Sequence, residues 1–251
     1  MPKITIITVC FNAEKYIEQT IQSVIKQKEC DIEYIIVDGA STDKTGQIIQ
    51  QYNSHITRWI SEPDKGIADA MNKGVALATG EYILFLHADD YLFTDDAVQS
   101  AAELMDSSTD IHEFGVLYDT NGKKIKKSSK PFGFRTYFKT PVMHQGAFCK
   151  KELFEKTKGF DTSYKIAMDY AFFFEAFRCK AKINIHNYVL SVMRDTGISS
   201  RQDWLSVEQR LLEEKRVHNS CNHSLFVKGI YKIYWLFYMP YKKYRLSESN
   251  K

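Results

Sequence analysis

Four apolar runs in the first ninety residues, each stopping at a polar cluster, constrain this chain more than any other feature. Residues 3–11, 32–38, 58–61 and 81–86 read as strands, and the longer ones run without apolar–polar alternation, as strands buried on both faces do. Helical patterns lie between them. Residues 13–27 place Tyr16, Ile17, Ile21, Val24 and Ile25 on one face, and residues 67–78 form a second helix closed by Gly80. This strand–helix succession calls for parallel pairing through right-handed crossovers, so the expected fold is a doubly wound, mostly parallel α/β sheet. Open sheets of this kind bind ligands just past the carboxyl ends of their strands.

The sharpest stop is Ile83-Leu84-Phe85-Leu86-His87-Ala88-Asp89-Asp90. Two adjacent carboxylates repel each other unless a cation or several donors compensate. A hard divalent ion with oxygen ligands is the simplest compensation, and such ions usually join protein carboxylates to substrate phosphates. An Asp-rich turn capping the next helix is the alternative reading of the same residues. His87 falls on the other side of the pleat from Ala88 and reads as structural. The second run ends in Asp38-Gly39-Ala40-Ser41-Thr42-Asp43, where Gly39 suits a tight turn and Thr42 or Asp43 starts a helix. The third leads into Glu62-Pro63-Asp64-Lys65-Gly66.

The second half is less regular. Residues 111–118 and a following strand predict a hairpin about Asn121-Gly122. The basic stretch 123–130 reads as a solvated loop. Residues 168–179 read as a Phe-rich, largely buried helix and residues 203–218 as a charged one. Without repeats or linkers, residues 1–223 are expected to form one domain whose halves meet near residue 110, followed by a tail from 224. In that tail Phe226, Ile230, Tyr231, Ile233, Tyr234, Trp235, Leu236, Phe237, Tyr238 and Met239 interleave with Lys228, Lys232, Lys242, Lys243 and Arg245. This is the composition of a helix lying in a membrane interface, and equally of a helix docked on the core.

Composition narrows the partners. With 251 residues, 44% hydrophobic and 14% aromatic, the chain can bury a real core. A net charge of +3 is too small to argue for nucleic acid. Five cysteines, scattered and without C-x-x-C spacing, speak against a disulfide framework or a zinc site and suggest a reducing compartment. No stretch reaches the roughly 20 apolar residues of a spanning helix, and residues 1–11 meet charge too soon for a signal peptide. The expected location is the cytoplasm, peripheral on the inner face of the cytoplasmic membrane.

Taken in order, the segments resemble the family 2 inverting glycosyltransferases of the GT-A fold. The resemblance rests on Thr5-Ile6-Ile7-Thr8-Val9-Cys10-Phe11-Asn12 before a helix, and on Tyr34-Ile35-Ile36-Val37-Asp38-Gly39-Ala40-Ser41-Thr42-Asp43. It continues through Ser61-Glu62-Pro63-Asp64-Lys65-Gly66-Ile67-Ala68-Asp69-Ala70-Met71-Asn72-Lys73-Gly74 and the Asp89-Asp90 pair. It runs from residue 3 to about 200 and is closest to bacterial polysaccharide and O-antigen assembly members, including those of lipopolysaccharide.

The resemblance implies a UDP-sugar donor carrying a hexose or N-acetylhexosamine. Thr8, Phe11 and Asn12 would line the base pocket, and Asp38 would accept from the uracil N–H or a ribose hydroxyl. Asp64, Lys65 and Gly66 would border the nucleotide. Asp89 would face the ribose or sugar with a share in the metal, and Asp90 would hold Mn²⁺ or Mg²⁺ against the diphosphate. Inversion also needs a carboxylate that takes the acceptor's proton. In Gly159-Phe160-Asp161-Thr162-Ser163-Tyr164-Lys165-Ile166-Ala167-Met168-Asp169-Tyr170, which resembles the acceptor-side motif, Asp169 occupies the position of the base. Met168 stands where the family commonly has Glu, and Asp161 is the rival base.

Met143-His144-Gln145-Gly146 also matches a family pattern, which makes His144 and Gln145 candidate acceptor or phosphate contacts; a core role for His144 is the alternative. Arg201, in the loop Gly197-Ile198-Ser199-Ser200-Arg201, would clamp the diphosphate. The implied acceptor is a hydroxyl of a polyprenyl-diphosphate-linked or other glycan. A nucleotidyltransferase would want a Gly-rich phosphate loop after the first strand, where this chain has Cys10-Phe11-Asn12-Ala13-Glu14-Lys15. A binding module that has lost its chemistry would lack Asp90 or Asp169.

Overall fold

The computed structural model describes residues 1–28, 30–120, 122–197, 200–220 and 225–249. Its first half alternates β1 (Ile4–Cys10), α1 (Ile17–Ile25), β2 (Ile32–Asp38), α2 (Thr45–Gln51), β3 (Arg58–Ser61), α3 (Ile67–Leu77) and β4 (Tyr82–Phe85). Every residue of β1 and β4 is buried, which explains why those runs do not alternate. β1 lies between β2 and β4, parallel to both, with Cys10 opposite Asp38; β3 joins β2 with Ser61 opposite Asp38. Three strand ends therefore finish level, and the loops leaving them share one edge.

The helix expected from residue 13 begins only at Ile17. The N–H groups of Ala13 and Glu14 go to Thr45 Oγ1 (2.7 Å) at the start of α2 and Asp43 Oδ2 (3.1 Å) in the loop before it, so this segment ties two strand ends together.

The chain continues through β5 (Tyr91–Leu92), α4 (Ala97–Glu103), β6 (Ile111–Thr120) and β7 (Lys123–Lys127). The basic stretch expected as a loop is largely this last strand. Gly122 takes φ +85° and its N–H is received by Asp119 Oδ1 at 2.8 Å, so the chain reverses tightly and all five β7 residues stay exposed beside β6. Asn121 lies outside the described residues. Then follow β8 (Ala147–Lys150), α5 (Lys151–Thr157), α6 (Met168–Arg178), β9 (Ile183–Arg194), α7 (Trp204–Ser220) and α8 (Leu225–Ser249). The sheet order is β3-β2-β1-β4-β8-β6-β9-β5, with β8 antiparallel to both β4 and β6, and β9 parallel to β6.

One core, including Ile7, Ile35, Met71, Phe85, Phe154, Phe160 and Phe172, fills the sheet face under α3, α5 and α6. A second, including Ile6, Ile17, Ile21, Ile36, Leu84 and Val98, fills the face under α1 and α4. A third, smaller cluster joins the tail to the body through Val207, Leu211, Tyr231 and Trp235. Among the described residues no helix is long and apolar enough to cross a membrane, and Cys10, Cys149 and Cys179 are free thiols.

Candidate active site

At the level ends of β1, β2 and β3, Asp38 is only 1% exposed. Its carboxylate accepts the hydroxyls of Ser41 (2.5 Å) and Ser61 (2.6 Å) and the Ser41 N–H. Asn12, held at φ +50°, donates its N–H to Ser41 Oγ and receives the Thr42 N–H on Oδ1. The two loops are thus laced into one wall. Above it stand Phe11, 64% exposed, and Asp64, whose Oδ1 receives the Gly66 N–H at 2.7 Å. A Cβ at Gly39 would lie 2.4 Å from Asp64 Oδ2 and 3.4 Å from Phe11, so the glycine lets the two rims of this crevice approach. Gly66 adopts φ +112°, which a side chain would strain. Lys65 is exposed and its N–H goes to Asp69 Oδ2.

Thr8 does not join this crevice. It is fully buried, with Oγ1 3.1 Å from the Tyr34 hydroxyl inside the core. Strand parity explains the difference: Thr8 points into the sheet's packed face, whereas Phe11 lies beyond the strand's end.

Next to the crevice, the Asp pair leaves β4 in a turn closed by Asp90 N–H to His87 O. Asp90 is 2% exposed, and its Oδ1 receives the Arg194 N–H at 3.3 Å. Burial, reinforced by Asp89, pushes its carboxyl well above the usual range, against the pull of the Arg194 N–H and the Gln145 side chain. Asp89 receives the Thr196 hydroxyl at 2.5 Å on Oδ2, and its backbone oxygen receives the Arg194 guanidinium. That guanidinium lies 4.8 Å from both the Tyr16 and Tyr91 ring centres.

The segment between the Asp pair and α6 brings the two sides together. The His144 ring packs edge-on against His87, with centroids 4.7 Å apart, and His144 Nδ1 lies 3.5 Å from Asp169 Oδ2. Burial, and then the neighbouring His144, pull the His87 imidazole well below its ordinary value, so it is neutral at physiological pH. Asp169 stands in the first turn of α6 with its side chain 26% exposed and accepts the Tyr170 N–H at 2.6 Å. The loop entering α6 is pinned by Glu213 of α7, whose carboxylate receives the N–H groups of Lys165, Ile166 and Ala167 at 2.8–3.1 Å. Asp161 receives the Ser163 N–H within its own loop.

The chemistry of the donor set suits a hard divalent ion. Two carboxylates adjoin, one nearly buried and destabilised by the other, and oxygen donors are what such an ion takes. Among the described residues no three such side chains converge on one point.

The structure brings Phe11, Asn12, Asp38 and Asp64 to one crevice, and links His144, Gln145, Asp89, Asp90 and Asp169 beside it. Arg201 is exposed near Asp203; Ile198 and Ser199 of its loop lie outside the described residues. The cation that does reach the Asp pair is Arg194, which the sequence reading missed. The strand-end logic that singled out Asp90 applies equally to the run ending in Arg194, but only the pairing of β5 with β9 carries that end to the Asp pair. Glu213 left no local signal at all.

A strand-end crevice beside adjoining carboxylates, with a further carboxylate at a helix start linked to them through His144 and His87, fits the glycosyltransferases. The family model "Glycosyl transferase family 2" matches residues 5–182, and the chain belongs to that family. An uncharacterized glycosyltransferase of Mycobacterium tuberculosis is 31% identical over 208 residues, covering 80% of this chain and 79% of the relative. A PGL/p-HBAD biosynthesis glycosyltransferase of Mycobacterium bovis is 30% identical over 210 residues, covering 79% and 80%. Among solved structures, a Pyrobaculum calidifontis mannosyltransferase in complex with GDP-Man and Mn²⁺ has a TM-score of 0.71 at 20% identity, covering 98% of this chain and 73% of that one. S. aureus TarS in complex with UDP-GlcNAc has a TM-score of 0.65 at 20% identity, covering 86% and 70%. These two likenesses establish the GT-A-like fold.

Proposed function

We propose that this glycosyltransferase is an inverting enzyme that moves a hexose or N-acetylhexosamine from a UDP-sugar to a hydroxyl of a lipid-linked glycan in cell-surface polysaccharide synthesis. The observation that carries the reading is the contact chain Asp169–His144–His87, which runs from a partly exposed carboxylate to the strand end that carries the Asp89–Asp90 pair. Asp169 takes the acceptor hydroxyl's proton, the acceptor oxygen bonds to the anomeric carbon, and the bond from that carbon to the phosphate oxygen breaks with its electron pair leaving on UDP. Phe11 offers a face for the base, and the Asn12–Ser41–Asp38 lacing holds the crevice wall against which the nucleoside lies. Asp89 faces the ribose or sugar, and Asp90, with Asp89 beside it, holds Mn²⁺ or Mg²⁺. When bound, that ion would supply positive charge to the departing diphosphate.

Peripheral membrane attachment belongs to the same reading. On α8, Tyr231 and Trp235 face inward, while Leu225, Phe226, Ile233, Leu236, Phe237 and Tyr244 are exposed on the other side, bordered by Lys228, Lys232 and Lys243. An apolar stripe edged with lysines complements an anionic bilayer surface. Wild type should sediment with vesicles containing phosphatidylglycerol, and a Leu236→Ser/Phe237→Ser variant should stay in solution; wild type left in solution would sink the idea.

The activity test is UDP release from a panel of UDP-sugars with Mn²⁺ and a synthetic lipid diphosphate monosaccharide. Turnover of one donor, lost in Asp90→Asn, is expected. No release from any donor, together with no UDP binding, overturns the proposal.

A further inference from the structure

A cavity of about 260 Å³ opens beside Asp169. Three cations line it from three separate segments: Lys139 from the loop before His144, Arg210 from α7 and Lys242 from α8. Tyr238 and Glu214 share the wall. Burial pushes the Glu214 carboxyl above its ordinary value against the pull of Arg210 and Lys139, with Asp169 raising it further and Lys242 opposing. Three cations against two carboxylates, Asp169 and Glu214, leave positive charge in excess.

That excess has no use for a neutral sugar acceptor. Cations beside a general base hold its negative charge and blunt its pull on a proton. An anion among them removes the penalty, and Arg with two Lys is a phosphate-binding set. The volume lies just below the roughly 300–1,000 Å³ of ordinary small-ligand sites, which suits a phosphate with its first sugar. Taking Asp169 as the base, as in the function proposed above, we propose that this cavity is an acceptor subsite for a phosphate group, held by Lys139, Arg210 and Lys242 while the attached sugar presents its hydroxyl to Asp169. The acceptor is then a phosphate- or diphosphate-linked glycosyl carrier. α8 supplies Lys242 to this subsite from the same helix whose other side carries the exposed apolar stripe.

Calorimetric titration of the full chain, with UDP and Mn²⁺ saturating the donor side, tests this with decyl diphosphate, decyl glucoside and inorganic diphosphate. Decyl diphosphate should bind at least tenfold more tightly than decyl glucoside. Lys139→Gln/Lys242→Gln should weaken it about tenfold while UDP affinity is unchanged. Arg210→Gln, on another element, serves if the double variant fails to fold. Inorganic diphosphate binding as tightly as decyl diphosphate would mean that the phosphate alone is recognised; weaker binding would mean that the lipid contributes, and both outcomes sustain the subsite. Equal binding of decyl diphosphate and decyl glucoside, or undiminished binding of decyl diphosphate by the folded variants, overturns it. Because the titration is blind to turnover, a failure of Asp169 as base would appear only in the rate of UDP release.

Discussion

Asp38 and Asp169 are both carboxylates of the candidate site, yet the chain holds them by opposite means. Asp38 ends a strand, and its partners Ser41 and Ser61 stand at the ends of the same strand and its neighbour. Asp169 stands at the start of a helix whose entry loop is pinned by Glu213, more than forty residues further along. That helix in turn is tied outward: Tyr170 meets His218 Nε2 at 2.7 Å, and Trp235 donates to His218 Nδ1 at 2.9 Å. The Asp38 side inherits its geometry from the sheet ladder. The Asp169 side delegates its geometry to α7 and α8, so distant changes should reach it and leave Asp38 alone.

The largest expected effect breaks the comparison at its chemistry. Asp169→Asn should lower the transfer rate by about 10²–10⁴-fold with donor KM nearly unchanged, as steady-state kinetics would reveal; a matching loss of donor affinity would mean that the two sides are not separate. On the other side, Gly39→Ala forces a Cβ against Asp64 and should weaken UDP binding about tenfold, or about 1.4 kcal/mol, by titration, without altering acceptor affinity.

Trp235→Phe leaves the buried His218 Nδ1 without its donor and should cost about 1–3 kcal/mol. A thermal melt should register this as a fall of several degrees, and Asp169-dependent turnover should fall with it.

A last effect, visible only as a pH dependence of stability, concerns Glu113 of β6, behind the His144 segment. Its carboxyl, pushed up to about 8 by burial, receives the Ser129 hydroxyl and the Met143 N–H. The folded chain keeps a proton there that the unfolded chain releases near pH 4–5. The stability it contributes is full below that range and is lost as pH rises through about 8, at up to about 1.4 kcal/mol per unit. Glu113→Gln lacks this dependence, so urea midpoints of variant and wild type should diverge in the variant's favour between pH 5 and pH 8. Parallel midpoints would place Glu113 ionised.

The Asp38 side was legible because strand, stop and turn chemistry are contiguous: β2 and β3 fall where the apolar runs place them, and Asp38, Asp64 and the Asp pair sit at their ends. Thr8 was misjudged because proximity to a strand end does not decide which face a side chain takes. Asp169 and His144 were readable only through resemblance. Arg194, Glu213 and the three cations of the acceptor cavity were unreadable, because each acts on a partner brought near by sheet order or helix packing. The tail was readable in composition but not in orientation: one side docks on Val207 and Leu211, and the other is exposed.

The Trp235–His218–Tyr170 chain has a direction. An indole N–H only donates, so His218 Nδ1 must be the bare nitrogen and Nε2 carries the hydrogen offered to the Tyr170 oxygen, which passes its own to Thr136 O. The last helix thereby sets the tautomer of an imidazole that grips the residue next to Asp169. A protein shortened before Leu225 would take from that imidazole the Trp235 donor and the rings of Tyr231, Tyr234 and Trp235, and should lose turnover through its interior whatever its membrane attachment.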